Sequence, residues 1–214
     1  LQFQIGQPLC NEDYLPGHVL LIESGTARLV GRSDGQLTTL AKLESGSVIG
    51  AASLLRGQSC EAVRAATDLV AWSVSDQTFQ QLYNDQKDIQ NCCDDYIWDA
   101  EVAALLETLL ARAPKNQDSL ATWLKHVEAL ATAVAAIDIE AEPALTKKQC
   151  FFLASSRSNL PIGSEINSSA AIQDLTKPET GFPIRLIGLP RDQLEALLQP
   201  KVGQADQEDI NNTS

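Results

Sequence analysis

At Ser75-Asp76 the hydrophobic period of the chain changes, and no single type of secondary structure can satisfy both sides of that junction. Before it, short apolar runs stop at glycine-bearing turns. His18 to Glu23 and Thr26 to Gly31 flank Ser24-Gly25, and Ser33-Asp34-Gly35 precedes a run that begins at Leu37. Such runs are short enough for strands and bounded as strands are, so residues 1 to 75 predict an antiparallel β roll. After the junction, Phe79, Leu82 and Tyr83 share one helical face, with Ser75 or Asp76 as its cap. Ile97, Val102, Leu105, Leu106, Leu109 and Leu110 mark a second helix that ends before Pro114. A third begins near Asp118-Ser119 and carries Leu120, Trp123, Leu124, Val127, Leu130, Val134 and Ile137. Joined by Pro114-Lys-Asn-Gln117, these two make a helical hairpin expected to pack on the roll; a dimer or partner groove between them is the alternative.

After Pro143 the texture changes again. Gln149 to Ser155 reads as a strand, Leu160 to Ile166 as a turn entering an extended piece, and Pro183 to Leu189 as another strand. Arg191 to Leu198 reads as a short helix following Pro190, and Asn167 to Gly181 as a polar loop. The expected fold class is α+β: a β roll of the double-stranded β-helix kind over residues 1–83, a helical region over 84–142, a small α+β module over 143–198, and an acidic linker over 199–214.

Composition excludes several functions. A net charge of −12, with Lys plus Arg at 16 and no basic run, repels phosphate backbones, so nucleic acid is not an expected partner. The most apolar tract, Leu120 to Ile139, is interrupted by Lys125, His126 and Glu128, and no membrane span is expected. Five cysteines without C-x-x-C spacing suit free thiols in a reducing compartment. Of the vicinal pair, one of Cys92 and Cys93 should be buried and the other partly exposed, because neighbours on a helix project about 100° apart. The chain contains no Met and is read as a piece of something longer.

The stretch from Val48 to Ala65 carries the chemistry. Val48-Ile49-Gly50 is a glycine turn, Ala51-Ala52-Ser53-Leu-Leu-Arg56 a short helix, and Ser59-Cys60-Glu61-Ala62 leads into a strand. Phe3-x-x-Gly6-Gln-Pro-Leu9, the hairpin from His18 to Val30, the approach Leu40 to Gly50 and the exit strand Ala66 to Val74 surround it in order, and Phe79 follows on the first helix. This series resembles the cyclic-nucleotide-binding domain family over roughly residues 3 to 83, and the resemblance implies a phosphate-binding cassette. In such cassettes a glycine admits the phosphate, a short helix presents free N–H groups and an arginine supplies the counter-charge. The implied ligand site is Ile49, Gly50, Ala51, Ala52, Ser53, Ser59, Cys60, Glu61 and Ala62.

Two positions depart from that pattern. Ala51 stands where the family has the Glu that accepts the ribose hydroxyl, and Ser59 or Cys60 stands at the phosphate Arg. Each loss removes about 1.5 to 3 kcal/mol of binding, and both together about 100-fold to 10,000-fold in affinity. Cyclic AMP and cyclic GMP are therefore not expected ligands, and no cofactor is expected in these residues. The alternative is a working sensor in which Arg56 or Arg64 replaces the missing cation.

No catalytic set is found. His18 and His126 have no nucleophile or ligand partner nearby, Cys150 follows His126 in the wrong order for the peptidase of some exporters, and no P-loop is present. Asp94-Asp95 with Asp99 lacks a calcium-loop spacing and reads as a solvated helix start; no metal site is expected. Cys150 to Ser156, Asn159 to Ile166 and Ile184 to Pro190 resemble the region that follows a cyclic-nucleotide-binding-like domain in cyanobacterial ABC exporters of toxins or bacteriocins. That resemblance implies a non-enzymatic regulatory or docking role at the cytoplasmic face of the plasma membrane. Its partners would be downstream membrane and ATPase domains, and secreted peptide cargo. A catabolite-activator-type transcription regulator is the further alternative, but a strand stands where its DNA-reading helices belong.

Overall fold

The computed structural model describes residues 1–33, 36–112, 119–135, 148–156, 158–166, 175 and 182–198. The roll consists of β1 (Gln2–Phe3), β2 (Pro8–Cys10), β3 (His18–Ser24), β4 (Ala27–Ser33), β5 (Gln36–Leu43), β6 (Val48–Ile49), β7 (Val63–Ala65) and β8 (Leu69–Ser75). They form two four-stranded sheets, ordered β1-β8-β3-β6 and β2-β7-β4-β5, with every pairing antiparallel. Leu20, Ile22, Ile49, Leu69 and Ala71 from the first sheet and Ala27, Leu29, Leu40 and Val63 from the second belong to one core. Only β4 and β5 follow one another within a sheet; every other step along the roll passes between the two sheets, whose residues share that core.

Between β6 and β7 lies α1 (Ala51–Arg56), a helix of six buried residues. So short a helix has little intrinsic stability, and its ends are set by glycine. Gly50 at φ 92° starts it, and Gly57 at φ 76° closes it with amide bonds back to Ser53 and Leu54.

After the roll come α2 (Asp76–Asp85), α3 (Lys87–Asp95), α4 (Asp99–Leu110) and α5 (Leu120–Val127). Ser75 caps α2, its hydroxyl accepting from the Thr78 amide at 3.1 Å, as the residue type at the period change predicts. Helices α4 and α5 pack on the roll: Val102, Leu105, Leu106, Leu109, Leu120, Trp123, Leu124 and Val127 all join its core.

Four expectations need correction. The third helix does not run from Leu120 to Ile137; it ends at Val127, passes through a 3-10 turn at Glu128–Leu130 and becomes a strand, β9 (Thr132–Ala135). Thr132-Ala-Val-Ala135 carries β-branched residues that tolerate either period, and Val134 pairs with Leu186 instead of facing the roll from a helix. Ile97 lies in the extended link before α4, which begins at Asp99. Helix α3 is additional, carrying only Ile89, Cys92 and Cys93 as apolar residues, too few to announce a period. For the same reason Asp94 and Asp95 end a helix and do not start one; Asp99 alone sits in a first turn.

The remaining sheet has the order β11-β10-β12-β9, with β10 (Gln149–Leu153), β11 (Glu165–Ile166) and β12 (Arg185–Pro190), followed by α6 (Arg191–Leu198). The extended runs and final helix fall where the sequence placed them, and Phe152, Ile187 and Leu189 tie this sheet to the core of the roll. The turn expected at Pro114–Gln117, the linker over 199–214 and nearly all of the loop over 167–181 lie outside the described residues. No helix among the described residues is long and apolar enough to cross a membrane.

Candidate ligand cavity of the roll

Gly50 is required for the geometry of the cassette. A Cβ there would stand 2.7 Å from the His18 carbonyl oxygen, at a φ that side chains rarely adopt. Its amide points at a carboxyl from the same chain. The Gly50 N–H donates to Glu61 Oε1 at 2.7 Å, the Ser53 N–H to Oε2 at 3.0 Å, and the Ser53 hydroxyl to Oε2 at 2.7 Å. The turn, the first turn of α1 and a hydroxyl thus converge on Glu61, whose side chain is buried.

Burial pushes the Glu61 carboxyl above the usual carboxylate range, while the donors from Ser53 and Gly50 pull it down. The Cys60 amide donates to the Ser53 hydroxyl at 3.2 Å, which holds the Ser53–Cys60–Glu61 cluster together. Burial and the adjacent Glu61 raise the Cys60 thiol to about 12, so it is no nucleophile. Burial likewise raises Cys150.

Beside Glu61 opens a cavity of about 670 Å³. Its walls are mainly apolar, among them Leu43, Val48, Ala51, Val63 and Trp98, and its ionisable lining residues are Glu61, Asp88, Asp99, Tyr96, Cys92 and Cys93. No Lys, Arg or His lines it among the described residues. A ligand seated here meets a hydrophobic wall and carboxyl groups without a counter-cation.

The nine residues singled out in the sequence do not all face that cavity. Ala51, Ala52 and Glu61 line it, and Gly50 and Ser53 hold Glu61 from behind. Ile49 is buried in the core opposite Leu20. Ser59 donates to the Asn11 carbonyl and, with Cys60, lines a second cavity; the Ala62 carbonyl accepts from the Val30 amide. The two arginines considered as substitute cations lie elsewhere. Arg64 reaches the Gly6 carbonyl at 3.3 Å, and Arg56 is among the residues that line the second cavity.

A partner set absent from the sequence reading is Arg185 with Glu101. From β12, Arg185 Nε donates to both Glu101 oxygens, and its other nitrogens donate to the carbonyls of Cys93, Asp94 and Tyr96 at the end of α3. The only sequence signal was an arginine inside an apolar strand and a glutamate inside an apolar helix.

Residues 1–86 match the family model of the cyclic nucleotide-binding domain. No curated protein matches the sequence. Among solved structures, the regulatory subunit of a cAMP-independent protein kinase A from Trypanosoma cruzi, bound to guanosine, is 22% identical with a TM-score of 0.42, over 50% of this chain and 38% of that one. A Trypanosoma brucei counterpart, a triple mutant bound to cAMP in the A site, is 21% identical with a TM-score of 0.35, over 37% and 30%. A cyclic nucleotide-binding-like protein from Brucella abortus is 19% identical with a TM-score of 0.35, over 38% and 72%. The chain spans less than two fifths of the length of either trypanosome protein. With its two antiparallel sheets, glycine-started cassette helix and family match over residues 1–86, the amino-terminal part of this chain has the cyclic nucleotide-binding fold.

Proposed function

We propose that the roll is a non-catalytic regulatory or docking domain that takes neither cyclic AMP nor cyclic GMP, because its anion seat is occupied by the chain's own Glu61. One observation carries the reading: the two amides and the hydroxyl that would greet a phosphate already donate to a carboxyl. A cyclic phosphodiester would have to displace it and bring a negative charge beside Glu61, Asp88 and Asp99 with no cation in the wall. Any ligand of this cavity is then neutral and largely apolar.

The wider setting we propose is the cytoplasmic portion of an ABC-type exporter of toxins or peptides, with membrane and ATPase domains downstream as partners. Its support is the resemblance of residues 150–190 to the corresponding region of such exporters. The net charge of −12 and the lack of any DNA-reading helix behind α4 among the described residues favour it over a transcription regulator.

Calorimetric titration with cyclic AMP and cyclic GMP tests the first reading: no heat at millimolar ligand is expected, and micromolar binding overturns it. The combined variant Ala51→Glu, Cys60→Arg and Glu61→Ala, which removes the internal carboxyl and supplies both missing contacts, is expected to gain binding. Sequencing the gene beyond the codon for Ser214 tests the second; a stop codon or a DNA-binding segment there removes it.

A further inference from the structure

One face of the first sheet keeps apolar side chains in water. In β3 and β8, Val19 stands opposite Val74 and Leu21 opposite Trp72. These four share a face, since side chains two apart on a strand point the same way, while Leu20, Ile22 and Ala71 on the other face fill the core of the roll. Val19 clusters with buried residues of α1 and α2, but Leu21 and Val74 are exposed and Trp72 is 64% exposed. Leu82 of α2 and Tyr96 after α3, both exposed, line the same cavity as these three. Five of the eleven large apolar residues exposed among the described residues thus border one opening. Scattered singly such residues need no explanation; gathered at the mouth of an apolar cavity they mark a surface that binds.

The charge around this mouth is one-sided. Residues 76–99, which form α2, α3 and the start of α4, hold six aspartates and a single cation, Lys87, whose ammonium donates to Gln90 Oε1 at 2.9 Å. Asp88, exposed in the first turn of α3, lines the cavity itself. A second copy of the chain would bring an identical acidic wall against this one, and the net charge of −12 opposes an anionic lipid surface in the same way. The complementary partner is apolar on one face and basic beside it. The position of the patch also fixes the backbone form of that partner. Strands β3 and β8 are the inner strands of the order β1-β8-β3-β6, so a partner meets their side chains and no free edge. A chain laid on a sheet face finds no backbone partners there and must satisfy its own N–H and C=O groups, as a helix does.

We propose that this mouth docks an amphipathic, basic helix of a partner protein, with an apolar side chain entering the cavity beside Trp72 and a Lys or Arg of the same helix against Asp88. Docking there rests on the cavity being closed to cyclic phosphodiesters, as proposed above, and the group that enters it is neutral.

Selection on the 214-residue chain from displayed peptides of about 16 residues, roughly four helical turns, tests this. Leu or Phe is fixed at i, i+3, i+4 and i+7, and the remaining positions are random. Enrichment of Lys and Arg over Asp and Glu is expected. The strongest binder, made synthetically, should move the tryptophan emission to shorter wavelength at saturation, a shift lost in Trp72→Phe. Fluorescence anisotropy should show Trp72→Ser weakening binding by about 30-fold, as for a central aromatic anchor. Asp88→Asn should weaken it by about two- to fivefold, with a smaller salt dependence. Asp88 is exposed, so Asp88→Asn removes no packing and decides the matter even if Trp72→Ser does not fold. Selection of no peptide, enrichment of acidic residues, or an affinity indifferent to either variant overturns the proposal. Self-association, or binding to phosphatidylserine vesicles, that is lost in Trp72→Ser gives this face another occupant and overturns it as well. Calorimetry with cyclic nucleotides needs no peptide and the selection needs no nucleotide, so either proposal can fail alone.

Discussion

Arg185 Nε lies 2.8 Å from Glu101 Oε1 and 2.9 Å from Oε2, with both side chains almost fully buried. The pair links β12 of the last sheet to the first turn of α4. Through the carbonyls of Cys93, Asp94 and Tyr96, the same guanidinium closes the end of α3. One cation thereby satisfies a buried anion and the orphan acceptors of a helix end.

Arg185→Met strands a buried carboxylate and is expected to cost about 3 to 5 kcal/mol. The double variant Arg185→Met with Glu101→Leu should recover most of that loss, because two apolar residues of similar volume need no partner. Urea denaturation of both single variants and the double variant checks this; independent, additive losses would mean that the contact is not a coupled pair.

Glu61→Ala leaves the Gly50 amide, the Ser53 amide and the Ser53 hydroxyl without their acceptor inside the protein. A cost of about 1 to 3 kcal/mol is expected, with Glu61→Gln costing less because its carbonyl oxygen can still accept. Thermal unfolding ranks the three proteins, and the expected order of stability is wild type, Gln, Ala.

The pH dependence follows from the same carboxyl. Burial raises Glu61 above its ordinary value of 4.5, so between that value and its folded one the native state binds more protons than the unfolded state. The stability contributed by the protonated form is fully present below about 4.5 and is lost as pH rises through the folded value. Glu101 is raised in the same direction, again by burial, with Arg185 opposing the rise. Denaturation midpoints measured from acid to neutral pH should therefore decline less steeply in Glu61→Gln than in wild type; identical slopes would exclude Glu61 as a contributor.

Thiol chemistry should separate the vicinal cysteines. Cys92 is exposed, whereas Cys93 is buried, and burial raises it to about 11. An aromatic disulfide reagent at neutral pH should label the native protein rapidly at one site, lost in Cys92→Ser, with Cys10, Cys60, Cys93 and Cys150 reacting only on denaturation. Rapid labelling of Cys93 in the native state would contradict the packing of α3.

Much of the fold was legible because its signals are local. Ser24-Gly25, Gly50 and Gly57 fix chain reversals by their own φ preferences, and Ser75 caps α2 with a hydroxyl one turn away. The strands at Gln149–Leu153 and Arg185–Pro190 and the helix at Arg191–Leu198 were likewise written in short apolar runs and a flanking proline. Thr132-Ala-Val-Ala135 was misread because its helical spacing is genuine; only the edge offered by β12, about 50 residues onward, makes it a strand.

The sequence alone determined that a roll would carry a glycine-started cassette with Ala51, Ser59 and Cys60 at the positions they hold, since those are matters of residue identity at fixed spacing. Only the tertiary structure decided where the charged groups of that stretch go. Glu61 turns back onto Gly50 and Ser53, Arg56 lines a different cavity, and Arg185 finds Glu101 from 84 residues away. Each of these depends on where a long side chain is buried and which partner the fold brings within hydrogen-bond reach, and a charge taken out of water goes to that partner whatever its distance along the chain.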